Sequence, residues 1–201
     1  MKLKIIVLFT FIICSLCTTC KAEPLIQKKS LKKWGYIHHI AQLSDTYLHK
    51  TLPHYDKLCI TGFYITHNGK IAHTKNSLFK KTFKLTKKYN KELIPLISFR
   101  SVRTGMQILN NPHLHNRAIY YIKQLCKTYN WKTLHFDFEY IPPKYVNTLK
   151  RFLQKIKVHL SEKKITMAIF PQVEFPKKYA AFHDLKVLQS VLDVIVIMCY
   201  D

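Results

Sequence analysis

Acidic residues are the scarcest class in this chain. Eleven Asp and Glu stand against 33 Lys and Arg, for a formal net charge of +22. Two readings of that imbalance are open. A basic patch could meet nucleic acid, an anionic membrane or an anionic cell-wall polymer. Alternatively the lysines are spread over solvated helix faces, as in "LFKKTFKLTKKYNKE". No RNA- or DNA-binding signature accompanies the charge, so the second reading fits better and no nucleic acid is expected as a partner.

A long apolar run is also missing. The longest, Ile5–Cys17, falls short of the roughly 20 residues that span a membrane. It follows the basic "MKLK" and precedes small and polar residues, the pattern of a secretory signal peptide over 1–22, with cleavage after Ala22. Lipidation at Cys20 or Cys17 is the alternative, although Thr19 and Leu16 are poor residues to precede such a cysteine. Membrane contact is expected only through that anchor.

Paired cysteines and metal-ligand spacings are absent too. Outside the leader stand Cys59, Cys126 and Cys199, an odd number that gives no disulfide framework. Burial as free thiols is the expectation. His38-His39 and His113-x-His115 match no zinc spacing with further ligands, so neither metal nor cofactor is expected. No internal repeat or low-complexity linker breaks the chain.

What is there is ordinary for one globular domain: 48% hydrophobic and 13% aromatic residues. Strand and helix signals alternate. Strands are expected at 34–40, 58–66, 93–99, 133–140, 165–172 and 193–201. Asn68-Gly69 supplies a turn after the second. A helix starts at a Ser cap in "SLFKKTFKLTKKYN". Another covers 112–130, with a capping Asn, a Pro in the first turn, and Ala118, Tyr121, Ile122, Leu125 and Tyr129 on one face. A third follows the Pro pair in "PPKYVNTLKRFLQKIKVHL", with Tyr145, Leu149, Phe152, Ile156 and Leu160 as its apolar stripe. "DLKVLQSVL" is a short fourth. Such alternation predicts βα units sharing one parallel sheet. An (β/α)8 barrel usually takes about 250 residues; about six units are expected here, and the chain stops at the end of the sixth strand.

The stretch "TLHFDFEY" (Thr133–Tyr140) carries the chemistry. Alternate strand residues share a face, so His135, Asp137 and Glu139 line up about 6.6 Å apart. Leu134, Phe136 and Phe138 form the opposite, apolar face. A solvated sheet face would explain the first set, but helices flank the strand on both sides in sequence. Inward-facing carboxylates are costly unless used, and Glu139 is near the strand's C-terminal end, where such barrels hold catalytic residues. Charged Asp137 beside Glu139 is expected to raise the pKa of Glu139.

"KTLHFDFEY" resembles the DxxDxDxE signature of glycoside hydrolase family 18, the chitinase-like TIM barrels, and "IMCYD" looks like that family's MxYD signature on the sixth strand. "ITGFYITHNGKI" is similar to its second strand and turn. "DFEYIPPKY" further resembles the branch of spore-germination peptidoglycan N-acetylglucosaminidases. The likeness spans about residues 33–201. It implies an exported enzyme, with a catalytic domain over 23–201, cleaving N-acetylglucosamine-containing polysaccharide, chitin-like or peptidoglycan. Glu139 is then the general acid, Asp137 holds the substrate's 2-acetamido N–H, and Tyr200 donates to the acetamido oxygen. Met198 and Asp201 line the sugar site. Lys132 and His135 stand where the family has its first two aspartates, and His135 is expected against Asp137. Tyr36 and Trp34 on the first strand could contact sugar, although core packing suits Trp34 better. Arg100 and Arg103 fall on the active-site side, where a polymer's carboxylates or solvent would meet them. The family's seventh and eighth strands are missing from the pattern, which suggests a truncated copy of a longer enzyme. The alternative reading is a catalytically inactive carbohydrate-binding relative or remnant.

Overall fold

A computed structural model describes residues 32–74, 76–173 and 176–198. The expected leader, Cys17, Cys20, Cys199, Tyr200 and Asp201 lie outside these described residues.

The apolar runs become strands β1 (Trp34–Ile37), β2 (Lys57–Ile65), β4 (Glu92–Phe99), β5 (Thr133–Asp137), β6 (Lys164–Ile169) and β7 (Val194–Ile197). All six are parallel and stand in the order β1-β2-β4-β5-β6-β7. Each strand thus pairs with the strand of the next βα unit. That winding makes a barrel wall; a doubly wound sheet reverses its order at a switch point. The fold is TIM-barrel type, with six such units among the described residues.

One short strand was not expected. After Asn68-Gly69 the chain turns back as β3 (Ile71–His73), antiparallel to β2. Gly69 sits at φ 75°, and an added Cβ would come within 3.1 Å of the Leu114 carbonyl oxygen, so the turn needs glycine twice over. Inside β2 the register with β4 shifts between Ile60 and Phe63, next to Pro95, which cannot donate to the ladder.

The long helices are α2 (Ser77–Lys88), α3 (Val102–Asn110), α4 (Pro112–Tyr129) and α5 (Val146–His159); short ones are α1 (Asp45–Thr51), α6 (Lys177–Ala180) and α7 (Leu185–Leu188). Asn76, rather than Ser77, caps α2, its side chain accepting from the Phe79 N–H. The expected Asn111 cap of α4 forms. The buried face of α4 runs through His115, Ala118, Ile119, Ile122 and Cys126, while Tyr121, Leu125 and Tyr129 are half-buried at its edge. Helix α5 buries Leu149, Phe152 and Ile156 as its stripe predicts, and Tyr145 and Leu160 flank it, also buried. Cys59 and Cys126 are buried free thiols, and burial pushes them up to about 12 and about 11.

Candidate active site

Strand β5 is held between β4, where Ser98 pairs with Asp137, and β6, where Asp137 pairs with Ala168. Its apolar side is fully inside: Leu134, Phe136 and Phe138 are at most 1% exposed. Phe138 stacks on Phe99 with ring centroids 4.0 Å apart, which ties the end of β5 to the end of β4. The polar side ends at the C-terminal mouth. There Asp137 and Glu139 line an open cavity of about 280 Å³ with Ser98, Phe99, Ser101, Val102, Tyr140 and Ile141. Larger cavities exist, including one of about 360 Å³ around Lys87, Glu92 and Trp131 at the opposite end of the strands. Volume does not select the site; the paired carboxylates do.

Their electrostatics are unusual for so basic a chain. Asp45, Asp56, Glu92, Glu162 and Asp193 each have a lysine Nζ within 3.7 Å. Asp137 and Glu139 have no such ion pair among the described residues. Burial, then the neighbouring Asp137 charge, then the hydrogen bond between the two carboxyls raise Glu139 to about 7. Burial raises Asp137 as well, and the Glu139 hydrogen bond pulls it back. The pair therefore retains a proton near neutral pH, with protonated Glu139 donating to Asp137. Asp137 Oδ1 is buried with no hydrogen-bond partner among the described residues. An orphaned acceptor of this kind costs about 1–3 kcal/mol until a donor meets it.

His135 does not take the expected place against Asp137. It is fully buried below the carboxylates, and both ring nitrogens are engaged elsewhere. The Thr166 hydroxyl donates to the Leu134 carbonyl at 3.0 Å, so Thr166 Oγ1 accepts from His135 Nδ1–H at 2.7 Å. His135 Nε2 then accepts from the Tyr36 hydroxyl at 3.1 Å. Burial lowers His135 to about 4, so the ring is neutral at neutral pH. With no exposed surface, His135 is a strut between β1, β5 and β6. The sequence alternation put it on the right face, but reach toward a partner depends on neighbouring strands.

Tyr36 is 44% exposed while its hydroxyl is on His135. The ring of Trp34 lies 5.9 Å from His135, under the Lys57 ammonium. Met198 is buried in a cluster with Ala168, Phe170 and Ala180. Arg100 is exposed just past β4, with its guanidinium 5.7 Å from the Tyr64 ring, and lines a second cavity with Thr66, His67 and Lys70. Arg103 is exposed on α3. The His38 and His39 rings lie 4.8 Å apart, and His39 Nδ1 is on Thr61 Oγ1.

Two residues assigned no role from the sequence also stand here. Tyr140, directly after Glu139, has φ 58° and half-exposed aromatic surface. His183 reaches the backbone beside Glu139 from a turn far along the chain. Tyr140 lies within "DFEYIPPKY" but its left-handed backbone is not written in that pattern, and no periodicity or motif marks His183.

No family model matches the chain. It is 29% identical over 118 residues to a cortical fragment-lytic enzyme of Bacillus anthracis, covering 54% of this chain and 27% of that protein. The structure superposes on the spore cortex-lytic enzyme SleL of Bacillus cereus with TM-score 0.75 at 22% identity, over 85% of this chain and 42% of SleL. A class V chitinase from Pseudomonas fluorescens Pf-5 superposes with TM-score 0.74 at 20% identity, over 84% of this chain and 54% of the chitinase. The chain thus spans about a quarter of the length of the curated relative and under half of SleL. The fold is that of chitinase-like glycoside hydrolases.

Proposed function

We propose that this protein is a family 18-type glycoside hydrolase acting on N-acetylglucosamine-containing polysaccharide, with a peptidoglycan-like cell-wall polymer favoured over chitin. The observation that carries the reading is the Asp137–Glu139 pair at the barrel mouth, whose Glu139 retains its proton to about 7. An acid catalyst needs its proton at working pH. Glu139 protonates the glycosidic oxygen as the bond to the anomeric carbon breaks. The substrate's own acetamido carbonyl oxygen attacks that carbon, and the acetamido N–H donates to Asp137, whose buried Oδ1 is short of a donor among the described residues. Water then opens the intermediate with Glu139 as base, giving retained configuration by a substrate-assisted route, an exception to the two-carboxylate scheme. Tyr200 belongs to the same reading as donor to the acetamido oxygen, and Met198, Asp201 and Tyr36 as parts of the sugar site. Cortex-lytic relatives support cell wall as the substrate, and an export leader over 1–22, or a lipid anchor at Cys20 or Cys17, takes the enzyme to it.

Hydrolysis of chitooligosaccharide and peptidoglycan by the wild type and by Glu139→Gln tests this. Turnover in the wild type, reduced at least about 100-fold in the variant, is expected. Equal binding by both proteins with turnover by neither identifies a carbohydrate-binding relative without catalysis, a reading favoured by the displaced His135. Salt-sensitive adsorption to any polyanion, indifferent to the sugar, reduces the protein to a basic surface binder.

A further inference from the structure

The last paired rung of β5 with β6 joins Asp137 to Ala168. Beyond it the two strands separate, and Phe138 and Glu139 have left the ladder. The Phe138 carbonyl would then lack its strand partner, as would the N–H of Phe170, one residue past the end of β6. A single imidazole fills both needs. His183 Nε2–H donates to the Phe138 carbonyl at 2.7 Å, and the Phe170 N–H donates to His183 Nδ1 at 2.9 Å. Because a backbone N–H can only donate and a carbonyl only accept, these two bonds fix the neutral tautomer with hydrogen on Nε2.

We propose that His183 is a positioning residue for Glu139: its ring replaces the missing rung between β5 and β6 and fixes the peptide on which Glu139 is mounted. The inference rests on Glu139 as the acid.

The segment after the clamp does not hold itself. Tyr140 is in the left-handed region, φ 58°, which costs an aromatic L-residue about 1–2 kcal/mol. Around it, Tyr140 packs on Phe170 at 5.4 Å and on Tyr179 at 5.2 Å, and Phe138 stacks on Phe99. Of these supports only His183 bonds to the peptide leading into Glu139. The ring is completely buried against Phe170 and Phe182, centroids 5.0 and 5.3 Å away. Burial lowers it to about 4, so one donor and one acceptor persist through neutral pH. A plain core histidine would need only satisfied nitrogens. This one is satisfied by two strand ends, the first of them at the residue before the acid.

Two substitutions in the full chain separate the two bonds. Gln at 183 reaches as far as Nε2 and can still donate to Phe138. Asn reaches only to the Nδ1 position and can still accept from Phe170. Carboxyl ¹³C NMR titration of Glu139 is read alongside kcat and KM on chitooligosaccharide. His183→Asn is expected to lower the Glu139 midpoint by about one unit or more, tenfold in its ionisation constant, as the loosened segment admits water. Its kcat is expected to fall roughly 10–100-fold with little change in KM. His183→Gln should keep both close to wild type. An unmoved Glu139 midpoint in His183→Asn overturns the proposal, as does equal loss by both variants in step with loss of folded protein. Should both variants fail to fold, ¹⁵N shifts of the wild-type ring decide: hydrogen on Nε2 supports the clamp, and hydrogen on Nδ1 overturns it. If the wild type turns nothing over, the proposed activity fails while the Glu139 midpoint still judges the clamp.

Discussion

Glu139 ionises in the folded protein near 7, against an ordinary 4.5. As an acid it works protonated, so kcat/KM should decline as pH rises through about 7, a limb visible in a pH–rate profile. Stability has a linked sign. Between 4.5 and about 7 the folded state holds a proton that the unfolded state has released, so stability declines as pH rises across that window. Glu139→Gln removes the buried charge. Its thermal midpoint is expected above wild type at pH 8, with the gap closing toward pH 5. A gap independent of pH would show that Glu139 titrates like an ordinary surface carboxylate. The need for Asp137 and Glu139 on one face was legible in their spacing. The destination of His135 was not, since Thr166 and Tyr36 stand on strands 31 and 99 residues away.

At the scale of elements, β5 and α5 were readable because each has one strong period, two in the strand and about 3.6 in the helix. β3 and α3 were not. The first is a short return strand whose three residues are all half-buried, and the second joins directly onto the cap of α4. Yet α3 braces the site. Gly105 lies so close to Phe99 and Ile141, both in the cavity wall, that an added Cβ would clash with Ile141 Cδ1 and come within 2.8 Å of Phe99. Gly105 is in a helix, where alanine is intrinsically favoured by about 1 kcal/mol. Steric crowding should outweigh that gain: Gly105→Ala is expected to lower stability by about 1–3 kcal/mol in denaturant unfolding. A stabilised variant would mean that α3 can slide off the strand ends.

Over the whole molecule, charge is the dominant long-range term. A net +22 repels itself, and the ion pairs seen, such as Lys81–Asp45 and Lys157–Asp193, leave most lysines without a carboxylate. Salt screens that repulsion over about 10 Å at 0.1 M. The thermal midpoint is therefore expected to rise by about 2–5 °C between low salt and about 0.3 M sodium chloride. A fall would show that the surface pairs contribute more than the repulsion removes.

By itself the sequence determined the alternation of βα units, the helix that follows β5, and the two carboxylates at the strand's end, because periodicity and strand position are local properties; the barrel itself was implied only by the family resemblance. Only the tertiary structure decided which groups those carboxylates meet. Among the described residues it left Asp137 Oδ1 without a donor, drew His135 away to Tyr36 and Thr166, and set His183 against the peptide beside Glu139. Hydrogen bonds between strand ends depend on register and splay, and those are settled where separate segments pack, not within any one of them.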